Sequence, residues 1–90
     1  MMTDLQRELW ERYGEQFIRL SRNLDIGEEN VVKGIFGEEW PNNADRSTRQ
    51  SLGRAISAAF DSEEFDDQLN HLTKAGTNGT PNRQLYRRIK

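Results

Sequence analysis

The chain has no cysteine, which excludes disulfides, thiolate metal sites and thiol nucleophiles and points to an intracellular, cytoplasmic setting. Its only histidine is His71, with no patterned serine or aspartate around it to make a nucleophile and its base. A lone histidine of this kind reads as a surface or hydrogen-bonded structural residue. Nowhere do 18 apolar residues run together, and the opening MMTDLQRELW has no apolar core of a leader; neither membrane spanning nor secretion is expected. Asn78, Gly79 and Thr80 spell a glycosylation acceptor only by accident.

Metal ligands at chelating spacing are also missing. The carboxylates fall as adjacent pairs, Glu28-Glu29, Glu38-Glu39, Glu63-Glu64 and Asp66-Asp67, whose members point different ways on any regular element. The glycines at 27, 34, 37, 53, 76 and 79 form neither a dinucleotide fingerprint nor a phosphate loop. With no coherent acid, base, nucleophile, metal or cofactor set, the expectation is a binding protein rather than an enzyme.

What remains is 90 residues with no composition break, the size of one domain spanning 1–90. The core is expected to be thin, and a homodimer partner packed on the first helix would help it. The net charge of −2 divides unevenly: residues 1–40 hold five Lys/Arg against nine Asp/Glu, and residues 41–90 eight against six. An acidic first half and a basic second half suggest a polyanion facing the second.

Thr3 and Gln6 have capping-box spacing, and Leu5, Leu9, Tyr13, Phe17, Leu20 and Leu24 then recur on one helical face, with Trp10 at its margin. Arg7, Glu8, Glu11, Arg12, Glu15, Arg19 and Arg22 make the other face a solvated one. A second helix is expected over Glu28–Phe36, ending at Gly37, with a loop to Asp45 from which Trp40 folds back on the core. Ser47 and Gln50 again have capping-box spacing, and Leu52, Ala55, Ile56, Ala59 and Phe60 form the apolar stripe of a third helix over about 48–60. Ser47, Gln50, Arg54 and Ser57 project from its opposite face, with Arg49 at the flank and Arg46 just ahead of the cap.

Residues 61–76 support two readings. Phe65, Leu69 and Leu72 keep helical spacing, which gives an all-α four-helix domain. Against this, Asn78-Gly79 is a hairpin signal, and Leu85, Arg87 and Ile89 alternate with Gln84, Tyr86 and Arg88. The preferred reading pairs about Gln68–Ala75 with that last strand across a loop of roughly 75–82. The fold class is then mainly α with a C-terminal β-hairpin, like a winged helix-turn-helix.

Such a layout suits double-stranded DNA, because a helix face enters the major groove while a second element meets the backbone. Arg46, Arg49, Gln50 and Arg54 cluster at the start of the third helix, and Gln and Arg are able to contact base edges in two places at once. Gly53 and Ser57 would let the backbone approach closely. Lys74, Thr77, Asn78, Arg83, Arg87 and Arg88 would line the hairpin.

The run RSTRQSLGRAISAAF followed by LTKAGTNGTPNRQLYRRIK resembles a group of small uncharacterised bacterial and phage proteins, in which a Leu-Gly-Arg helix precedes a basic hairpin. The matching residues are Leu52, Gly53, Arg54, Lys74, Asn82 and Tyr86, over about the last 45 residues. The resemblance implies the winged-helix layout and no particular activity. Two departures are the loop from Gly37 to Arg46, longer than a tight helix-turn-helix turn, and the long acidic first helix. That acidic half supplies the competing expectation, a module that docks on a protein partner.

Overall fold

The computed structural model describes residues 2–78 and 83–90. Its elements run α1 (Asp4–Ser21), β1 (Glu29–Val31), α2 (Val32–Phe36), a 3-10 turn (Gly37–Glu39), α3 (Arg46–Asp61), a second 3-10 turn (Glu63–Phe65), α4 (Asp66–Leu69), β2 (Leu72–Asn78) and β3 (Arg83–Arg88). The chain is mainly helical and closes with an antiparallel hairpin, and the layout is winged-helix-like. The connecting residues 79–82, with Gly79 of the expected turn and Asn82, lie outside the described residues.

α1 begins where the sequence places it. Thr3 Oγ1 accepts the Gln6 N–H at 3.1 Å, and Gln6 Oε1 accepts the Thr3 N–H at 2.9 Å, the reciprocal bonds of a capping box. Leu9, Trp10, Phe17 and Leu20 are buried, whereas Leu5 is 54% exposed. The apolar face offered to a second copy is therefore largely taken up by the chain's own core.

Glu28–Phe36 is not one helix. Glu29, Asn30 and Val31 pair antiparallel with Arg87, Tyr86 and Leu85, and α2 starts only at Val32. The helical spacing of Val32, Ile35 and Phe36 is genuine, and all three are buried. Pairing with a strand more than fifty residues away, helped by the Arg87–Glu29 ion pair at 2.8 Å, claims the residues before them. Asn30 holds the junction: its Oδ1 accepts the Val31 N–H at 2.8 Å, and Gly34 leaves the room that the Asn30 carboxamide fills.

α3 is capped by Asp45 rather than Ser47. Asp45 Oδ1 accepts the Thr48 N–H at 2.7 Å, so the helix starts at Arg46, which becomes a first-turn residue. Leu52, Ala55, Ile56 and Ala59 are completely buried against α1.

Residues 62–75 divide between the two readings. The first part is helical, with the Phe65 ring packed against Trp10, centroids 5.1 Å apart and planes tilted by 52°. Leu72 then opens a strand four residues later than Gln68. β3 lies in the middle of the sheet, in the order β1-β3-β2. The β2 register slips by one residue between Lys74↔Tyr86 and Thr77↔Gln84, a bulge that Gly76 accommodates at φ 90°. Gln84 Nε2 donates to the Gly76 carbonyl at 2.7 Å.

Tyr86 sits at the centre of the core, fully buried. Its ring lies 4.7 Å from Phe60 and 5.8 Å, edge-on, from Phe17. Trp40 folds back as expected, edge-on to Phe36 at 5.7 Å.

Candidate functional site

Because α3 commits one face to α1, the opposite face is free, and it forms the floor of an open groove of about 700 Å³. Arg46, Arg49, Gln50, Gly53, Arg54 and Ser57 come from α3; Arg83 and Gln84 from β3; Lys33, Val31, Val32 and Trp40 from the β1–α2 segment and the loop after it. Three separated stretches of chain thus converge, and they do so because β3 pairs with β1 on one side and β2 on the other. Seven of the twelve residues singled out from sequence, Arg46, Arg49, Gln50, Gly53, Arg54, Ser57 and Arg83, lie together here. Lys33, Gln84 and Trp40 join them unforeseen. Only a long-range pairing brings Lys33 into place, and no local signal marks it.

Five lining residues are cations and none is an acid. Among the described residues none of the five forms an ion pair, and 79–82 contain no carboxylate to supply one. Elsewhere Arg7, Arg19, Lys74 and Arg87 are paired with carboxylates, whereas Arg12, Arg22 and Lys90 form no ion pair among the described residues. Arg7 grips Glu64 through two bonds of 2.9 and 3.1 Å, and Arg19 holds Glu39 at 2.7 Å. These guanidinium bonds, with Gln16 assisting on Glu39, keep both carboxylates below their ordinary pKa. The acidic residues Glu8, Glu11, Glu15, Asp66 and Asp67 lie exposed on α1 and α4. At the start of α3 the Asp45 carboxylate caps the helix and lies close enough to Arg49 to feel its charge, which offsets the positive end of the dipole there.

Three expected contacts are placed elsewhere. Arg87 ties β3 to Glu29. Arg88 donates to the carbonyls of Arg22 at 2.9 Å and Leu24 at 2.7 Å, and its Nε to that of Lys90, so it seals the C-terminal end of α1. Lys74 reaches Ser57 and Asp61, each at 2.9 Å. Thr77 and Asn78 lie on β2, Asn78 pairing with Arg83 across the ladder; the Asn78 side chain is outside the described residues, as is Asn82.

His71 is a buried structural residue, 6% exposed, with Nε2 2.7 Å from the Ser21 hydroxyl, which is itself fully buried. Ser21 Oγ also donates to the Ile18 carbonyl at 2.7 Å. Burial, followed by the charges of Arg22 and Arg88, holds the imidazole pKa below its usual value. Burial pushes the Tyr86 phenol pKa upward, with the neighbouring Ser57 hydroxyl opposing the shift and Asp61 reinforcing it; no hydrogen bond of standard geometry reaches the phenol oxygen among the described residues. No group of three His, Cys, Asp or Glu able to hold a metal occurs among the described residues, nor is any helix there long and apolar enough to cross a membrane.

No known family model and no curated protein matches the sequence, and no solved structure matches the chain.

Proposed function

We propose that this chain is a DNA-binding module that carries double-stranded DNA on the outer face of α3, with β3 and the β1–α2 segment touching the backbone on either side. The observation that supports it is the grouping of Lys33, Arg46, Arg49, Arg54 and Arg83 around one groove with no carboxylate among them. Phosphates supply the opposite charge, and Gln50 and Arg54, four residues apart on one helix face, are base-reading residue types. A small cytoplasmic regulator of bacterial or phage type is the kind of protein this describes, consistent with the resemblance of its second half, and its role is binding rather than catalysis.

The test is a titration of labelled generic duplex at several salt concentrations. If all five cations meet phosphates, log K falls against log salt with a slope of roughly −4.5. The double change Arg49→Ala with Arg54→Ala should keep the circular dichroism spectrum and abolish most of the affinity. Unchanged binding in that variant would remove α3 as the contact surface.

A second reading, docking on a protein partner, draws on a shallow depression beside the acidic side of α1, lined by Trp10, Ile18 and Phe65 with Glu11 and Glu15. Capture of one stoichiometric protein, lost on changing Glu11 and Glu15 and accompanied by no duplex affinity at low salt, would establish it over the first.

A further inference from the structure

Lys74 is the expected contact whose placement has the most consequence for the groove. Its ammonium donates to Ser57 Oγ and to Asp61 Oδ1, both at 2.9 Å. An ammonium has three N–H donors and no acceptor, so the Ser57 hydroxyl must be the acceptor and keeps its own proton to give. Ser57 lines the groove one helical turn beyond Arg54, so a groove ligand can compete for that proton with the neighbouring buried Tyr86 phenol. The third Lys74 N–H has no partner among the described residues. Asp61 is the last residue of α3, where the helix dipole disfavours an anion, and its side chain is 71% exposed against 28% for Lys74. A pair so open to water is screened and readily exchanged for another anion.

We infer that Ser57, Lys74 and Asp61 form a subsite for one phosphodiester oxygen at the end of the groove away from Arg46. Ser57 donates its hydroxyl proton, Lys74 supplies the charge, and Asp61 competes with the ligand for Lys74. The inference rests on the groove being a DNA surface, and it assigns Asp61 as the residue that sets how tightly this end holds a phosphate. Arg46 and Ser57 are eleven residues apart, roughly 16 Å along the helix, so this contact is separate from those at the helix start.

The experiment is a titration of labelled generic duplex at three salt concentrations with the full chain and with Asp61→Asn, Ser57→Ala, Lys74→Met and Glu8→Gln. Circular dichroism is recorded for each. Asp61→Asn removes an exposed carboxylate and with it the ion pair to Lys74; it is expected to bind about three- to tenfold tighter and to steepen the salt slope by part of the roughly 0.9 of a whole phosphate contact, the rest being what Lys74 already supplies. Ser57→Ala is expected to bind about tenfold weaker with the slope unchanged, as for a lost hydrogen bond to a charged group. Lys74→Met is expected to weaken binding and flatten the slope. Glu8→Gln, which makes the same change in net charge from α1, is expected to alter affinity less than twofold. The subsite is overturned if Asp61→Asn binds no tighter than the unaltered chain, if Glu8→Gln tightens binding as much, or if Ser57→Ala leaves affinity intact. If the unaltered chain shows no salt-sensitive duplex affinity, the DNA reading fails and the subsite fails with it.

Discussion

Replacing Gly53 with alanine should stabilise the fold and weaken DNA binding in the same variant. A Cβ built at Gly53 meets nothing within 4 Å, and the residue lies inside α3 without a positive φ. Glycine in a helix interior costs about 0.8–1.0 kcal/mol relative to alanine, and nothing in the packing offsets that gain. For a domain of this size the increase corresponds to roughly 4–8 °C in Tm. The added methyl stands on the groove floor, where it holds a DNA edge away from the helix backbone, and duplex affinity should fall several-fold. Gly14 is the contrasting case in α1. A Cβ there would come within 2.7–3.0 Å of three atoms of the Trp10 ring, and Trp10 is only 5% exposed. Overpacking of about 1–3 kcal/mol exceeds the helix gain, so Gly14→Ala should lose about 1 kcal/mol. Thermal melts followed by circular dichroism measure both variants, and duplex titration measures the first. A Gly53→Ala protein that melts no higher than its parent would refute the open-space argument; one that melts higher yet binds DNA equally well would refute close approach along α3.

Stability should also depend on pH in two windows of the same sign. His71 has a folded pKa below its unfolded value of about 6.5, so the unfolded chain binds more protons there and stability falls as pH drops through and below that value. Urea midpoints between pH 7.5 and 5 should show this, and His71→Gln should flatten it. Asp45, depressed by the Thr48 N–H, and Glu39 and Glu64, depressed by Arg19 and Arg7, contribute a further loss below about pH 4.5. Arg88→Met leaves the Arg22 and Leu24 carbonyls without their shared donor and should cost about 2 kcal/mol in urea denaturation, while the salt slope of duplex binding stays the same. Asp45→Ala should cost about 1 kcal/mol as a lost N-cap, whereas Ser47→Ala should be close to neutral in the same melts.

The helices were legible because their periodicity is local: Phe17 and Leu20 in α1, and Leu52, Ala55, Ile56 and Ala59 in α3, are inward at the spacing the sequence shows. β1 was not, because three residues at Glu29–Val31 become a strand only through β3, a partner that no window of neighbours contains. The alternation in β3 marked a strand without revealing that Tyr86 faces in while Ile89, 47% exposed, faces out. Ser47 and Asp45 are both competent caps, and the choice between them depends on where the loop ends: Asp45 takes the Thr48 N–H, whereas a cap at Ser47 would take the Gln50 N–H. At the candidate site, residues from one helix face were found together because helical geometry alone groups them. Lys74, Arg87 and Arg88 are cations like the rest, but whether a cation is engaged depends on where Asp61, Glu29 and the end of α1 come to lie.

The bulge in β2 also determines how the molecule behaves in a crowd. Both outer strands of the sheet could template another chain, but β1 offers only three residues. Along β2 the regular spacing of amides breaks at Gly76, whose carbonyl already accepts from Gln84. Neither rim supports continued in-register growth, so copies gathered at high local concentration should stay separate molecules rather than seed a fibril.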